Sequence, residues 1–91
     1  MTLFNEKRLG VQLGRLCASA NLPPSEIAKV LRVSRMTVYN WFKGGAVRSK
    51  NVDRIEIFMR IVEDNVEDQS LPVQTLKEAK LFVKDHLLGK L

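Results

Sequence analysis

An all-α fold of five helices with no strands is what this sequence predicts, and three observations carry that reading. Apolar residues recur at i, i+3, i+4 and i+7 through most of the chain, the spacing of a helix with one buried face. The segment PSEIAKVLRVSRMTVYNWFK, Pro24 to Lys43, reads as two short helices around a tight turn. Helix-stopping residues punctuate the chain at Asn21, at Gly44-Gly45 and in the run Gln69-Ser70-Leu71-Pro72. A chain of 91 residues supports one small domain.

The first helix is expected from about Asn5, its N-cap, to Ala20, with Glu6 complementing the helix dipole. Leu9, Leu13, Leu16, Cys17 and Ala20 make its apolar stripe. Gly10 and Gly14 each cost the helix roughly 1 kcal/mol against Ala. Being four apart, they share one side and permit close approach of another backbone. Asn21 suits the left-handed residue that ends the helix. Pro23 keeps Leu22 extended, and Pro24 suits the first position of a second helix reaching Leu31.

A third helix runs from Arg35 to Phe42, with Ser34 as N-cap and Gly44-Gly45 as its stop. The fourth starts after Ser49 or Asn51, either of which would cap it, and extends to about Val66. Val52, Ile55, Met59, Val62 and Val66 form its stripe, widened by Phe58 and Ile61. Its end carries Glu63, Asp64, Glu67 and Asp68 at the pole that disfavours negative charge, so fraying is expected there. Pro72 fits the first position of a fifth helix, about Val73 to Leu88. Leu76, Ala79, Val83 and Leu87 lie on one side of it, while Leu81, Phe82 and Leu88 broaden its apolar surface. Residues 1–68 are therefore expected to be a helix-turn-helix domain. Residues 69–91 are expected to be a C-terminal helix that packs on the core or mediates dimerisation.

The middle segment divides its side chains between two jobs. Ile27, Ala28, Leu31, Val33, Val38 and Trp41 make a small internal core, and Ala28 is small enough for the two helices to cross closely. Arg35, Met36, Tyr39, Asn40 and Lys43 fall on the opposite side of the later helix, free to reach a partner. That division is what a helix-turn-helix needs, and it makes duplex DNA the leading partner.

LPPSEIAKVLRVSRMTVYNWFKGG resembles the motif of the Cro and lambda-repressor-like (XRE-type) helix-turn-helix domains. The resemblance extends backward through LGVQLGRLCASANL and, more weakly, forward into the helix near Asn51, so it covers residues 9–62. It implies a compact five-helix lambda-repressor-like domain whose second and third helices form the motif. Arg32 stands where that family usually has a turn glycine, the residue for which positive φ is least costly. Pro24 stands where the family usually has a Gln that helps clamp the phosphate backbone. Proline has no side-chain donor and no N–H, so that grip is expected to move to Arg48 through Asn51.

By the same resemblance, Arg35, Met36, Tyr39 and Asn40 are the base-reading positions. Arg35 can donate two bonds to guanine O6 and N7, and Asn40 can pair with adenine N6 and N7. Met36 either packs on a thymine methyl or against the first helix. Tyr39 offers its ring to a thymine methyl or its hydroxyl to a phosphate. Phosphates are expected at Ser34, Thr37 and Lys43, and at Arg48, Ser49, Lys50 and Asn51 in the loop GGAVRSKN, whose alternative is a solvated connector. Gln12 and Arg15 are further backbone contacts or plain surface. Trp41 belongs to the core, Cys17 is a small buried apolar residue, and His86 lies on the surface.

Composition fits this reading. With 45% apolar and 27% charged residues, the chain is ordinary for a folded protein. Its net charge of +5 is uneven: residues 1–50 carry nine Lys/Arg against two Glu, and residues 51–91 six against eight Asp/Glu. A basic motif half suits one face turned to a polyanion. The chain has no apolar run of membrane-spanning length and no signal-peptide core, so a cytoplasmic setting is expected, in a bacterium or a phage-infected cell. One cysteine and one histidine make a disulfide or metal site implausible. A solvated surface is the simpler reading of Glu63, Asp64, Glu67 and Asp68 than a divalent-ion site.

No nucleophile with a base and no Gly-rich phosphate loop is present, so the chain is not expected to be an enzyme or to need a cofactor or small ligand. The leading expectation is a sequence-specific transcription regulator, a Cro-like repressor acting as a homodimer on double-stranded DNA. The alternatives are an architectural or recombination-directionality factor, and a protein-interaction module such as a polymerase inhibitor or antitoxin-like partner.

Overall fold

Four short sequence devices set the first half of the molecule. In the computed structural model, which describes residues 6–91, α1 spans Glu6–Ala20, α2 Pro24–Leu31 and α3 Arg35–Phe42. The expected Asn5 cap lies outside the described residues. Asn21 closes α1 in the left-handed conformation at φ 62, and the Leu22 N–H reaches back to the Cys17 carbonyl at 2.9 Å. Pro23 is extended (φ −75, ψ 151), and Pro24 opens α2. Ser34 caps α3 by accepting a bond from the Thr37 N–H at 3.1 Å. Gly44, at φ 101, and the Gly45 N–H, bonded to the Asn40 carbonyl at 2.8 Å, end it.

Two glycines decide how α1 and α3 pack. A Cβ at Gly10 would lie 2.5 Å from the Trp41 carbonyl oxygen, and one at Gly14 would lie 3.0 Å from the Phe42 ring. The pair thus forms a flat strip on which α3 lies, which explains two helix-weakening residues in one helix. Leu13, Ile27, Leu31, Val38, Ile55 and Phe58 are fully buried around that crossing. Burying each such side chain contributes about 1.5–3 kcal/mol. Of the six core positions expected in the motif, five are buried and Val33 is half-buried. Val47, from the loop after α3, is fully buried as well, a contribution no periodicity announced.

The second half departs from expectation at three boundaries. The fourth helix, α4, spans Ser49–Glu67, so Ser49 is its first residue rather than a residue before it. The N-cap is Arg48, whose side chain makes no capping bond; neither Ser49 nor Asn51 caps. A backbone bond from the Asn51 N–H to the Arg48 carbonyl (2.8 Å) closes the turn instead. The acidic end of α4 is also held rather than frayed. Asn65 donates through its side chain to the Ile61 carbonyl at 2.8 Å, Gln69 turns left-handed at φ 71, and the Leu71 N–H reaches the Asn65 carbonyl at 3.1 Å. Hydrogen bonds from the Ser70 hydroxyl and N–H lower the Asp68 carboxyl below its ordinary range. Val66 is exposed, so the buried stripe ends at Val62.

The fifth helix starts later than Pro72 suggested. α5 spans Leu76–Phe82 and runs on as a π-helical segment, Val83–Leu87. Thr75 and Glu78 form a reciprocal capping box: the Glu78 N–H donates to the Thr75 hydroxyl at 3.1 Å, and the Thr75 N–H to the Glu78 carboxylate at 3.0 Å. The preceding residues are a strap, with Leu71 buried and Leu71-Pro72 in a cis peptide. Val73 is tied to the end of α1 through its N–H to Ala20 (3.3 Å) and through its carbonyl, which accepts from Asn21 (2.8 Å). Ala79, Phe82, Val83 and Leu87 close the core, while Leu76 points out and is 57% exposed. Among the described residues there are five helices and no strand, and no helix is long and apolar enough to cross a membrane.

Candidate nucleic-acid interface

The turn between α2 and α3 rests on one unusual residue. Arg32 is left-handed at φ 59, ψ 45, and both its own N–H and that of Val33 bond to the Ala28 carbonyl. A non-glycine residue here carries a strain of about 1–2 kcal/mol. The turn geometry is nevertheless complete, and it lets α2 and α3 pack through Ile27, Leu31 and Val38.

On α3, Val38 and Trp41 are buried, which turns the opposite side outward. At roughly 100° per residue that outer side carries Tyr39, Lys43, Met36 and Asn40 in order, with Arg35 and Thr37 at its two borders. Met36 is 69% exposed, which removes the alternative that it packs against α1. Tyr39 is 46% exposed, and Arg35, Asn40 and Lys43 are exposed too. Ser34 and Thr37 are joined by a hydroxyl–hydroxyl bond of 3.0 Å, so these two expected phosphate contacts form one unit at the start of the helix. Trp41 is in the core, as expected.

Beside α3 lies a groove of about 790 Å³. Thr37, Asn40 and Lys43 form its α3 wall, and Arg48, Lys50 and Asn51 form the loop and α4 wall. Six of the expected DNA contacts are therefore brought to one concavity. Arg35, Met36, Tyr39, Ser34 and Ser49 are not part of its lining, nor are the exposed Gln12 and Arg15 of α1. Two further basic residues, Arg32 and Arg54, to which the sequence assigned no DNA contact, also line the groove. Arg54 was hidden because it sits inside the α4 apolar pattern. Its guanidinium crosses to the end of α2 and donates to the Leu31 carbonyl at 3.4 Å.

The other chemistry-bearing side chains are structural in setting. Cys17 is buried, and desolvation pushes its thiol from 9.0 up to about 12. Glu26 is buried on α2 and pairs with Lys29 at 3.1 Å. His86 is exposed and stacks on Phe82 with ring centres 4.6 Å apart. Among the described residues, no group of three His, Cys, Asp or Glu side chains is placed to hold a metal ion.

Compared with known families, residues 7–46 match the model of the homeodomain-like domain. These residues are a DNA-binding helix-turn-helix domain. The match takes in α1, α2 and α3, and so the Gly10–Trp41 crossing, the Arg32 turn and the whole outward face of α3. It supports the helix-turn-helix expected from the motif, under a homeodomain-like description rather than the Cro-type one. Arg48, Lys50, Asn51 and Arg54 lie beyond the matched residues of this domain. No curated protein and no solved structure matches the chain.

Proposed function

We propose that this protein is a sequence-specific double-stranded DNA-binding transcription regulator, a repressor of the Cro type, that lays α3 in the major groove. The observation that carries this reading is the continuity between the outward face of α3 and the basic groove. Asn40 and Lys43 belong to both. Base-reading side chains and phosphate-binding side chains are thus presented to one side of the molecule, as a docked recognition helix requires.

In this reading Arg35, Met36, Tyr39 and Asn40 meet base edges, with Arg35 bidentate on a guanine. Ser34, Thr37, Lys43, Arg48, Ser49, Lys50 and Asn51 meet phosphates and fix the register. One helix spans too few base pairs to define a genomic site, so the protein acts as a homodimer on two half-sites. The exposed Leu76 and Leu81 of α5, with Leu88 just past the π-helical segment, are its contact surface. No cofactor or small ligand enters.

Two substitutions test the assignment of roles. Arg35→Ala should cost about 1–3 kcal/mol on the preferred site and relax preference at one base pair. Lys50→Ala should weaken all duplexes alike and reduce the salt slope by about one unit. DNA affinity and selectivity untouched by both changes would overturn the docking scheme.

A further inference from the structure

The groove beside α3 is lined by cations from four successive pieces of chain. Arg32 comes from the α2–α3 turn, Lys43 from the end of α3, Arg48 from the loop, and Lys50 and Arg54 from α4. No Asp or Glu is in the lining. Among the described residues, no carboxylate pairs with any of these five cations. Trp41 and Val33 also line the groove, apolar residues that lower the local dielectric and strengthen the field at its surface.

Two of the five are positioned in a way that their surroundings do not require. Arg32 occupies a left-handed turn residue, φ 59, that glycine would satisfy without strain. It is nevertheless an arginine, exposed and part of the groove lining. Arg54 is half-buried, and its guanidinium donates to the Leu31 carbonyl. A guanidinium carries five donors in a rigid fork, so one bond anchors it and the others are available to an anion.

We propose that this groove is a phosphodiester channel in which one DNA strand is held, with Arg32 and Arg54 as phosphate ligands that complete it. This deepens the DNA-binding reading and rests on it. The channel sets the side on which the duplex flanks α3, and its two arginines form the end nearest the α2–α3 turn. The occupant is a run of phosphodiesters rather than a single small anion, because the cations come from four successive pieces of chain and line an open groove of about 790 Å³. Neutralising phosphates releases counterions, so each ligand registers in the salt dependence of binding even without a known operator.

The test measures binding of the full chain to sheared genomic duplex DNA by fluorescence anisotropy across a salt series. Arg32→Gly and Arg54→Gln should each lower the slope of log affinity against log salt by about one unit, and the double variant by about two. Arg32→Gly should keep the thermal midpoint at or above that of the native chain, so its loss of affinity cannot come from misfolding. Arg60→Ala, which removes an exposed cation of α4 away from the groove, should leave the slope unchanged. Native slopes in both groove variants, or an equal fall in Arg60→Ala, would overturn the channel while leaving DNA binding standing. Failure of the native chain to bind any duplex would overturn the channel and the DNA-binding reading together.

Discussion

Gly10 of α1 lies directly under the backbone of Trp41 in α3, so close that a methyl group there would sit 2.5 Å from the Trp41 carbonyl oxygen and 2.8 Å from its carbonyl carbon. The obstacle is backbone, which cannot rotate away. The position of α3, and with it the placement of every outward side chain, depends on this missing Cβ.

Gly10→Ala should therefore destabilise the domain, although Ala is the better helix former by about 1 kcal/mol. Forcing the helices apart should cost about 1–3 kcal/mol net. Gly14→Ala meets only the Phe42 ring, which is half-buried and can tilt. It should stay within about 1 kcal/mol of the native chain. Urea denaturation of both variants measures the contrast, and a Gly10→Ala protein as stable as native would refute the close crossing.

The sequence carried the helix-turn-helix further than it carried the rest, and the reason is local. Ile27, Ala28, Leu31, Val38 and Trp41 are fixed by short-range spacing, and Ser34, Asn21 and Gly44 by capping chemistry that acts within a few residues. Gly10 and Gly14 were legible as a pair because two helix-weakening residues on one side imply a neighbour. Val47 and Leu71 were not legible, since each is one apolar residue in a loop and its burial depends on helices remote in sequence. Arg54 joined the groove only through a contact with Leu31, twenty-three residues away.

The start of α5 shows two local signals in competition. Pro72 favours a helix start, but the Val73 ties to Ala20 and Asn21 keep the following residues out of the helix. The Thr75–Glu78 capping box then sets the boundary at Leu76. Thr75→Ala should cost about 1 kcal/mol of stability. Hydrogen exchange should show the loss as faster exchange in the first turn of α5. Unchanged protection there would show that the strap alone sets the boundary.

Cys17 gives the stability a pH dependence. Burial pushes the Cys17 thiol from 9.0 up to about 12, so folding favours the protonated form. That contribution is complete below about pH 9 and declines as pH rises from there toward 12. The urea midpoint should therefore be lower at pH 10 than at pH 8. At pH 8 iodoacetamide should label Cys17 slowly in the native chain and rapidly in urea. Rapid labelling of the folded protein would place the thiol outside the core.

Selection of bound sequences from a random duplex library by the native chain tests sequence-specific binding by a pair of α3 helices. Enrichment of a palindromic consensus is expected, with two half-sites about one helical turn apart, as a two-fold pair of α3 helices requires. Absence of any enriched sequence, with negligible duplex affinity at physiological salt, would contradict it.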